Sequence, residues 1–399
     1  MSWVTELTKV LNSVDDVIYT YILTGILLLT SIYFSVRTKF VQVRLFPDSV
    51  KMLMEQGKSK GTSSLQALMI STAARVGTGC IAGVATAIHI GGAGTVFWMC
   101  LVAFISSSLT FIECTLAQMY KIRGKDGGFR GGPAYYIEKV LHKRWYGVLF
   151  SVLLVICYAY SLNSFQSHMI TESVMEYMPE SAKQYGPLII GIILAIITLV
   201  VIFGGIRRIG FVSSYIVPVM ALGYLGIGIA VIIMNVGRLP SVMSDIFVGA
   251  FSFKATSTGI AGAVMIEGVK KGLLSHESGM GSAANIAAAA DISHPVKQGA
   301  SQVFSVFITT FLVCTTTAFI VLLSGVNFSN LEDIILVQHS LRSQVGDSGN
   351  LFLTIAVFFF AFSSIVGNYS YAESNVLFIK DSKKVLNIFR ITCVAIIVV

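Results

Sequence analysis

The sequence predicts an all-α polytopic membrane protein, and three observations carry that prediction. Of its 399 residues 55% are apolar and 12% charged, about half of the roughly 25% charge of a soluble domain. Apolar runs recur that reach the ~18–20 residues a helix needs to cross a bilayer. Lys and Arg gather in the short segments between those runs. One membrane domain, 1–399, is the simplest organisation.

Ten apolar segments follow in order. The first, 15–36, begins behind Glu6, Asp15 and Asp16, where a cleavable signal would carry basic residues, and Val17–Val36 outruns a signal core, so it stays as a span. Then come 63–89, 94–120, 145–170, 186–204, 211–236, 241–273, 299–325, 350–379 and 386–399. The seventh is interrupted and reads as a surface helix followed by a short span. The tenth ends at Ile396–Val399 in mid-run without a polar anchor, so a truncated chain is expected.

With the N-terminus outside, the loops 37–62, 121–144, 205–210, 270–298 and 380–390 face the cytoplasm and hold 22 of the 28 Lys and Arg residues. The outer set leans acidic, with Glu172, Glu176, Glu180, Glu332, Asp333 and Asp347. The positive-inside rule selects this orientation. The net charge of +8 therefore answers to an anionic lipid leaflet, not to nucleic acid. Cys80, Cys100, Cys114, Cys157, Cys314 and Cys393 all fall in apolar stretches without CxxC spacing and read as core; no cofactor is expected.

Polar groups at depth carry the chemistry. Ser71 to Cys80 place Gly77, Thr78, Gly79 and Arg75 about 12 residues into the second span, roughly 18 Å deep at ~1.5 Å per residue. Unpaired backbone cannot face lipid there. Two readings fit: a helix break lining a cavity, whose half-helix starting near Gly79 aims its positive end at a carboxylate, or a Gly-rich face for close helix packing. Arg75 pairs or faces an aqueous path, since a mid-membrane Arg costs at least ~2.5 kcal/mol; Glu113, Glu267, Glu277 and Glu373 are the available partners, and a strut joining two helices is as good a reading as substrate contact. In the fourth segment Asn163 and Gln166 share a helix face, as interhelical links or as amides that hold both ends of a zwitterion. In the ninth, Ser363 and Ser364, with Asn368 a turn beyond, offer oxygens to a hard cation such as Na+, or bond back to their own carbonyls.

Five blocks then stand in order: ARVGTGCIAGVATAI (74–88), GGAGTVFWM (91–99), GGFRGGPAYYIEK (127–139), GLLSHESGMGSAANIAAAA (272–290) with HPVKQG (294–299), and FAFSSIVGNYSYAESN (360–375). Together they resemble the alanine or glycine:cation symporter family, the sodium:alanine symporters. The resemblance implies a LeuT-type fold of two inverted five-helix repeats, here 63–236 and an incomplete 241–399, behind the extra span 15–36 and with the last helix missing from this chain. It implies a plasma-membrane secondary transporter that carries a small neutral amino acid, alanine or glycine, inward with Na+. Residue by residue, it implies that the amides of Thr78 and Gly79, in the stretch unwound at Gly77, receive the substrate carboxylate. Carbonyls at Arg75 and Val76 face the ammonium, Gln166 and Asn163 complete the pocket, Asn368 lines it, and Gly259 and Gly262 mark a companion break. Na+ takes the main-chain oxygens of Ala73 and Val76 with the hydroxyls of Ser363 and Ser364.

The chain departs from the family at Cys80, where Asn is usual; a thiol is a poor ligand for a hard cation, so a second Na+ is not expected. His276 and Ser278 replace the common Asn and Ala, and His276 is able to titrate near neutral pH. No filter-like ring marks a channel, and His89, His168 and His339 are too scattered for an enzyme. A proton-coupled amino-acid carrier using Glu113 or Glu373, and a truncated product that does not transport, remain open alternatives.

Overall fold

In hydrocarbon a chain must satisfy its backbone within itself, and helices do so segment by segment. The computed structural model describes residues 6, 14, 17–53, 62–124, 127–251, 261–326, 331 and 333–398. Apart from the short helices Val41–Arg44, Phe46–Leu53 and Glu180–Lys183, its helices are in chain order α1 (Ile18–Arg37), α2 (Ser64–Arg75), α3 (Thr78–Gly91), α4 (Gly94–Met119), α5 (Pro133–Leu141), α6 (Arg144–Met175), α7 (Gly186–Ile202) and α8 (Gly205–Met234). There follow α9 (Leu239–Phe251), α10 (Ala261–His276), α11 (Ser282–Ala289), α12 (Pro295–Ser324), α13 (Asp333–Val345), α14 (Asp347–Ile379) and α15 (Lys383–Val398). Among the described residues α1, α4, α6, α8, α12 and α14 are each long and apolar enough to cross a membrane, and α2 with α3 makes a seventh candidate crossing bent by 61°.

Local chemistry sets several of these boundaries. A capping box starts α2: the Gln66 amide donates to Ser63 Oγ and the Ser63 amide to Gln66 Oε1, both at 3.1 Å, which satisfies two otherwise orphaned donors. Within α6 the stretch Val155–Leu162 widens to a π-helix, and Ile308–Cys314 does the same within α12. Such turns insert an extra residue per turn and gather at functional sites.

Packing sorts the helices by depth. Of the apolar window of α14, 72% is buried against other helices, against 22% for α1; α14 is the central post and α1 a peripheral span. Two buried clusters meet on α14. One joins α3, α8, α12 and α13 around Tyr224 and Phe360; the other joins α6, α7 and α15 around Tyr369 and Ile202. Outward-facing Leu188, Ile193, Ile196, Val219, Leu222 and Ile233 stay exposed, the apolar surface that a bilayer covers.

The structure refines the loops read from sequence. Residues 121–144 hold an antiparallel hairpin of β1 (Ile122–Arg123) and β2 (Phe129–Arg130), and then α5. Residues 37–62 hold the helices Val41–Arg44 and Phe46–Leu53, because Phe46 has apolar company: its ring lies 4.8 Å from that of Phe307. The basic segments meet at one end of the bundle: Arg130 pairs with Asp381 at 3.2 Å, Arg144 Nη2 donates to the Phe378 carbonyl at 3.0 Å, and Lys121 Nζ donates to the Ala290 carbonyl at 2.8 Å. The interrupted seventh segment is α9 and α10; Gly259 lies outside the described residues, and Gly262 is the second residue of α10.

Candidate functional site

The second span does leave the helical path where the sequence places Gly77 and its neighbours. The last helical residue of α2 is Arg75; Val76 turns to φ −83°, ψ 60°, and Gly77 is extended at φ −94°, ψ −166°. Two half-helices therefore end face to face inside the bundle, leaving amides and carbonyls that need partners. Val76, Thr78 and Cys80 are all fully enclosed there.

Side chains from α6 and α14 supply those partners. Gln166 Oε1 accepts from the Thr78 amide at 3.1 Å and from Thr78 Oγ1 at 2.7 Å, a cap brought in from a distant helix. Ser364 Oγ donates to the carbonyl of Ala73 at 2.7 Å and reaches that of Ala74 at 3.3 Å. Gly77 has to be small: a Cβ there would lie 2.5 Å from Ser364 Oγ and 2.6 Å from Gln166 Nε2. A Cβ on Gly79 would meet open space. Beyond the break, Cys80 Sγ donates to the Arg75 carbonyl at 3.3 Å, and Thr317 Oγ1 of α12 donates to the Cys80 carbonyl at 2.9 Å.

The other sequence-predicted residues sort by what they touch. Asn163 Oδ1 accepts from Asn368 Nδ2 at 3.1 Å, and Asn163 Nδ2 points at Cys393 Sγ at 3.6 Å, so this pair ties α6 to α14 and α15; Asn368 Oδ1 has no partner. Ser363 Oγ donates to the Phe360 carbonyl at 2.9 Å, the back-bonded arrangement. Adjacent residues on a helix point about 100° apart, so Ser363 and Ser364 do not face α2 alike.

Arg75 turns its side chain away from the break. Its Nη1 lies 3.4 Å from the Gln302 carbonyl, while Nε and Nη2 are buried without a hydrogen-bond partner. Of the four carboxylates available, Glu373 is taken by Arg390 at 3.3 Å and Glu267 lies 3.9 Å from Lys270. Glu113 and Glu277 remain, both buried and both under the electrostatic influence of Arg75. His276 is fully buried, with Nε2 3.2 Å from Ser106 Oγ.

Three participants were missed by reading the sequence. A Cβ on Gly367 would come within 2.9 Å of the Ala74 amide and Cβ, so this glycine lets α14 touch the break; Ser363-x-x-x-Gly367 is the small-residue spacing of close helix contacts and was the available signal. Thr317 and Tyr224, whose hydroxyls lie 2.8 Å apart, support the Cys80 carbonyl. No local pattern marks them.

The family model of the sodium:alanine symporter family matches residues 4–399. The chain is 43% identical over 396 residues to the Bacillus subtilis "Probable sodium/glutamine symporter GlnT", covering 98% of this chain and 82% of that protein. It is 34% identical over 400 residues to the "Sodium/alanine symporter AgcS" of Methanococcus maripaludis, covering 98% and 87%. Among solved structures it resembles MhsT, crystallised with L-phenylalanine, at TM-score 0.62 and 14% identity, over 86% of this chain and 80% of that one. At that identity the likeness carries the fold alone: polytopic, helical and LeuT-like.

Proposed function

The chain belongs to the sodium:alanine symporter family, and from that premise we propose that it is a secondary active transporter moving a small neutral amino acid, alanine or glycine, into the cytoplasm together with Na+. The observation that carries the reading is the grip of Gln166 Oε1 on the amide and hydroxyl of Thr78. An amide oxygen there is a neutral stand-in for one oxygen of a carboxylate. At the start of a half-helix a carboxylate adds the favourable dipole interaction that the amide lacks, so the substrate displaces Gln166 from Thr78 and also takes the amide of Gly79. The carbonyls at Arg75 and Val76, at the C-terminal end of α2, take its ammonium.

Na+ is the second substrate, and the donor set beside the break suits it. Ala73 and Val76 offer carbonyl oxygens and Ser364 a hydroxyl already on Ala73 at 2.7 Å; Ser363 is proposed as the fourth ligand after its hydroxyl leaves Phe360. All are hard oxygens. Both substrates bridge the break to other helices, the amino acid to α6 and Na+ to α14. Each therefore favours the closed arrangement the other needs, and that shared preference is the coupling. Crowding of Gly77 by Gln166 and Ser364 supports a small side chain. The names of GlnT and AgcS, sodium/glutamine and sodium/alanine symporters, support an amino acid and Na+.

The proposed organisation is two inverted repeats, 63–236 and 241–399, behind the span 15–36, in the plasma membrane with the N-terminus outside. The gathering of Arg130, Arg144 and Lys121 at one end of the bundle supports that orientation. Uptake of labelled alanine and glycine into proteoliposomes, with and without an imposed Na+ gradient, tests the function. Accumulation that follows the Na+ gradient is expected; accumulation indifferent to Na+ removes the symport.

A further inference from the structure

Behind the break, on the side to which Arg75 points, α2, α4, α12 and the turn after α10 enclose a group of charges that the transport chemistry above does not use. Arg75 brings one positive charge and Glu113 and Glu277 bring two carboxylates, each at most 7% exposed. Among the described residues Arg75 makes no ion pair with either one. Glu113 Oε2 accepts from the Gly281 amide at 3.0 Å and Glu277 Oε2 from Ser282 Oγ at 2.6 Å. Glu113 Oε1, Arg75 Nε and Nη2, and both side-chain amide atoms of Gln302 are buried with no partner at all.

The titratable inventory around this group is short. Helix α10 adds its last residue, His276, whose Nδ1 accepts from the Ser278 amide at 3.2 Å; a nitrogen that accepts carries no proton, so the ring is neutral. Cys80 of α3, Cys114 of α4, Tyr136 of α5, Cys157 and Tyr158 of α6 and Tyr371 of α14 also sense these charges, and all are neutral in their ordinary forms. The facing residues of α11 and α12, Ser282 on Glu277 and Gln302 beside Arg75, do not titrate. Two carboxylates against one guanidinium leave one negative charge uncompensated, in an interior where an unpaired charge costs several kcal/mol.

We propose that Arg75, Glu113 and Glu277 form a proton-binding site that holds one proton on one or the other of the two carboxylates, which are anchored to the adjacent residues Gly281 and Ser282. The proton enters from water as one carboxylate becomes a carboxylic acid, and leaves by the reverse step. Arg75 couples this site to transport. It is the last residue of α2, and its carbonyl is tied across the break to Cys80. Any movement of the break shifts the guanidinium relative to both carboxylates, so proton occupancy and substrate occupancy are linked reciprocally.

Infrared spectroscopy of the purified, lipid-reconstituted chain at neutral pH tests the charge count directly, without substrate. Wild type is expected to show the carbonyl band of a protonated carboxylic acid, moving in D2O. Glu113→Gln and Glu277→Gln each restore a one-to-one balance and both lose that band, whereas Arg75→Gln enlarges it. Absence of the band in wild type, its survival in either glutamine variant, or an unchanged band in Arg75→Gln overturns the proposal. If Glu113→Gln fails to fold, Glu277→Gln and Arg75→Gln decide. Na+-driven alanine uptake by wild-type vesicles is expected to depend on pH and by Glu277→Gln vesicles to lose that dependence; an identical pH profile in the two counts against linkage. Absence of any Na+-driven alanine uptake, with the band behaving as expected, refutes the symport reading and leaves the proton site standing.

Discussion

Replacing Gly77 by Ala is the sharpest single perturbation of the break. The added methyl would sit 2.5 Å from Ser364 Oγ and 2.6 Å from Gln166 Nε2, so it drives apart the two side chains assigned to Na+ and to the amino acid. Neither is a free end, because Ser364 is held by Ala73 and Gln166 by Thr78. Overpacking of an enclosed site costs about 1–3 kcal/mol, which at about 1.4 kcal/mol per decade is a roughly five- to hundredfold weakening of binding. Gly83→Ala, on the same half-helix pair with nothing within 4 Å of its Cβ, is the matched control. Alanine uptake into proteoliposomes across a Na+ series, normalised to inserted protein, is the assay. Gly77→Ala is expected to raise the half-saturating concentrations of both Na+ and alanine, and Gly83→Ala neither. If the two variants behave alike, the steric account of the break is wrong.

Other expectations follow from the same contacts. Ser364→Ala leaves the Ala73 carbonyl without its donor and removes a cation ligand; a loss of about 1–3 kcal/mol is expected in the Na+ dependence, with substrate preference little changed, and competition assays over a panel of amino acids check this. Thr78→Val keeps the amide but removes the hydroxyl, now on Gln166, that the proposed exchange hands to the substrate carboxylate, so alanine affinity falls, while Thr78→Ser restores most of it. Gly367→Ala presses a methyl against Ala74 and is expected to lower thermal stability in detergent by about 1–3 kcal/mol, which ligand-free unfolding measures. Glu373→Gln breaks the ion pair with Arg390, whose two side chains are 15% and 14% exposed; a destabilisation approaching about 3 kcal/mol is expected, with no effect on the Na+ dependence of the folded fraction.

Much of this site was legible because depth makes polar residues conspicuous. Gly77, Thr78 and Gly79 stand out in an apolar span, as do Gln166 and Ser364, and the structure brings Gly77, Thr78, Gln166 and Ser364 together. Direction was harder to read. Ser363 and Ser364 are equivalent as letters, yet a helix turns about 100° between them, and here only Ser364 reaches α2. Arg75 had four candidate carboxylates, and only the packing of α10, α14 and α15 shows that Glu267 lies beside Lys270 and Glu373 beside Arg390. The hairpin at 122–130 and α5 were read as plain loop because short, half-exposed elements at a bundle end carry no long apolar run. Thr317 and Tyr224 were invisible for the opposite reason: a hydroxyl in a membrane helix has several local acceptors, and only tertiary contact picks out the Cys80 carbonyl.

Besides Ile18–Leu23 at the start of the peripheral α1, two π-helical stretches, Val155–Leu162 and Ile308–Cys314, lie just before Gln166 and Thr317, the side chains that hold the break from α6 and α12. A wide turn holds a surplus residue outside the regular α-helical ladder, the kind of irregularity that gathers at functional sites. Both neighbours of the unwound strand thus carry built-in slack at its depth, a means of letting go of Thr78 and Cys80 without melting a span or dragging a whole helix through the lipid.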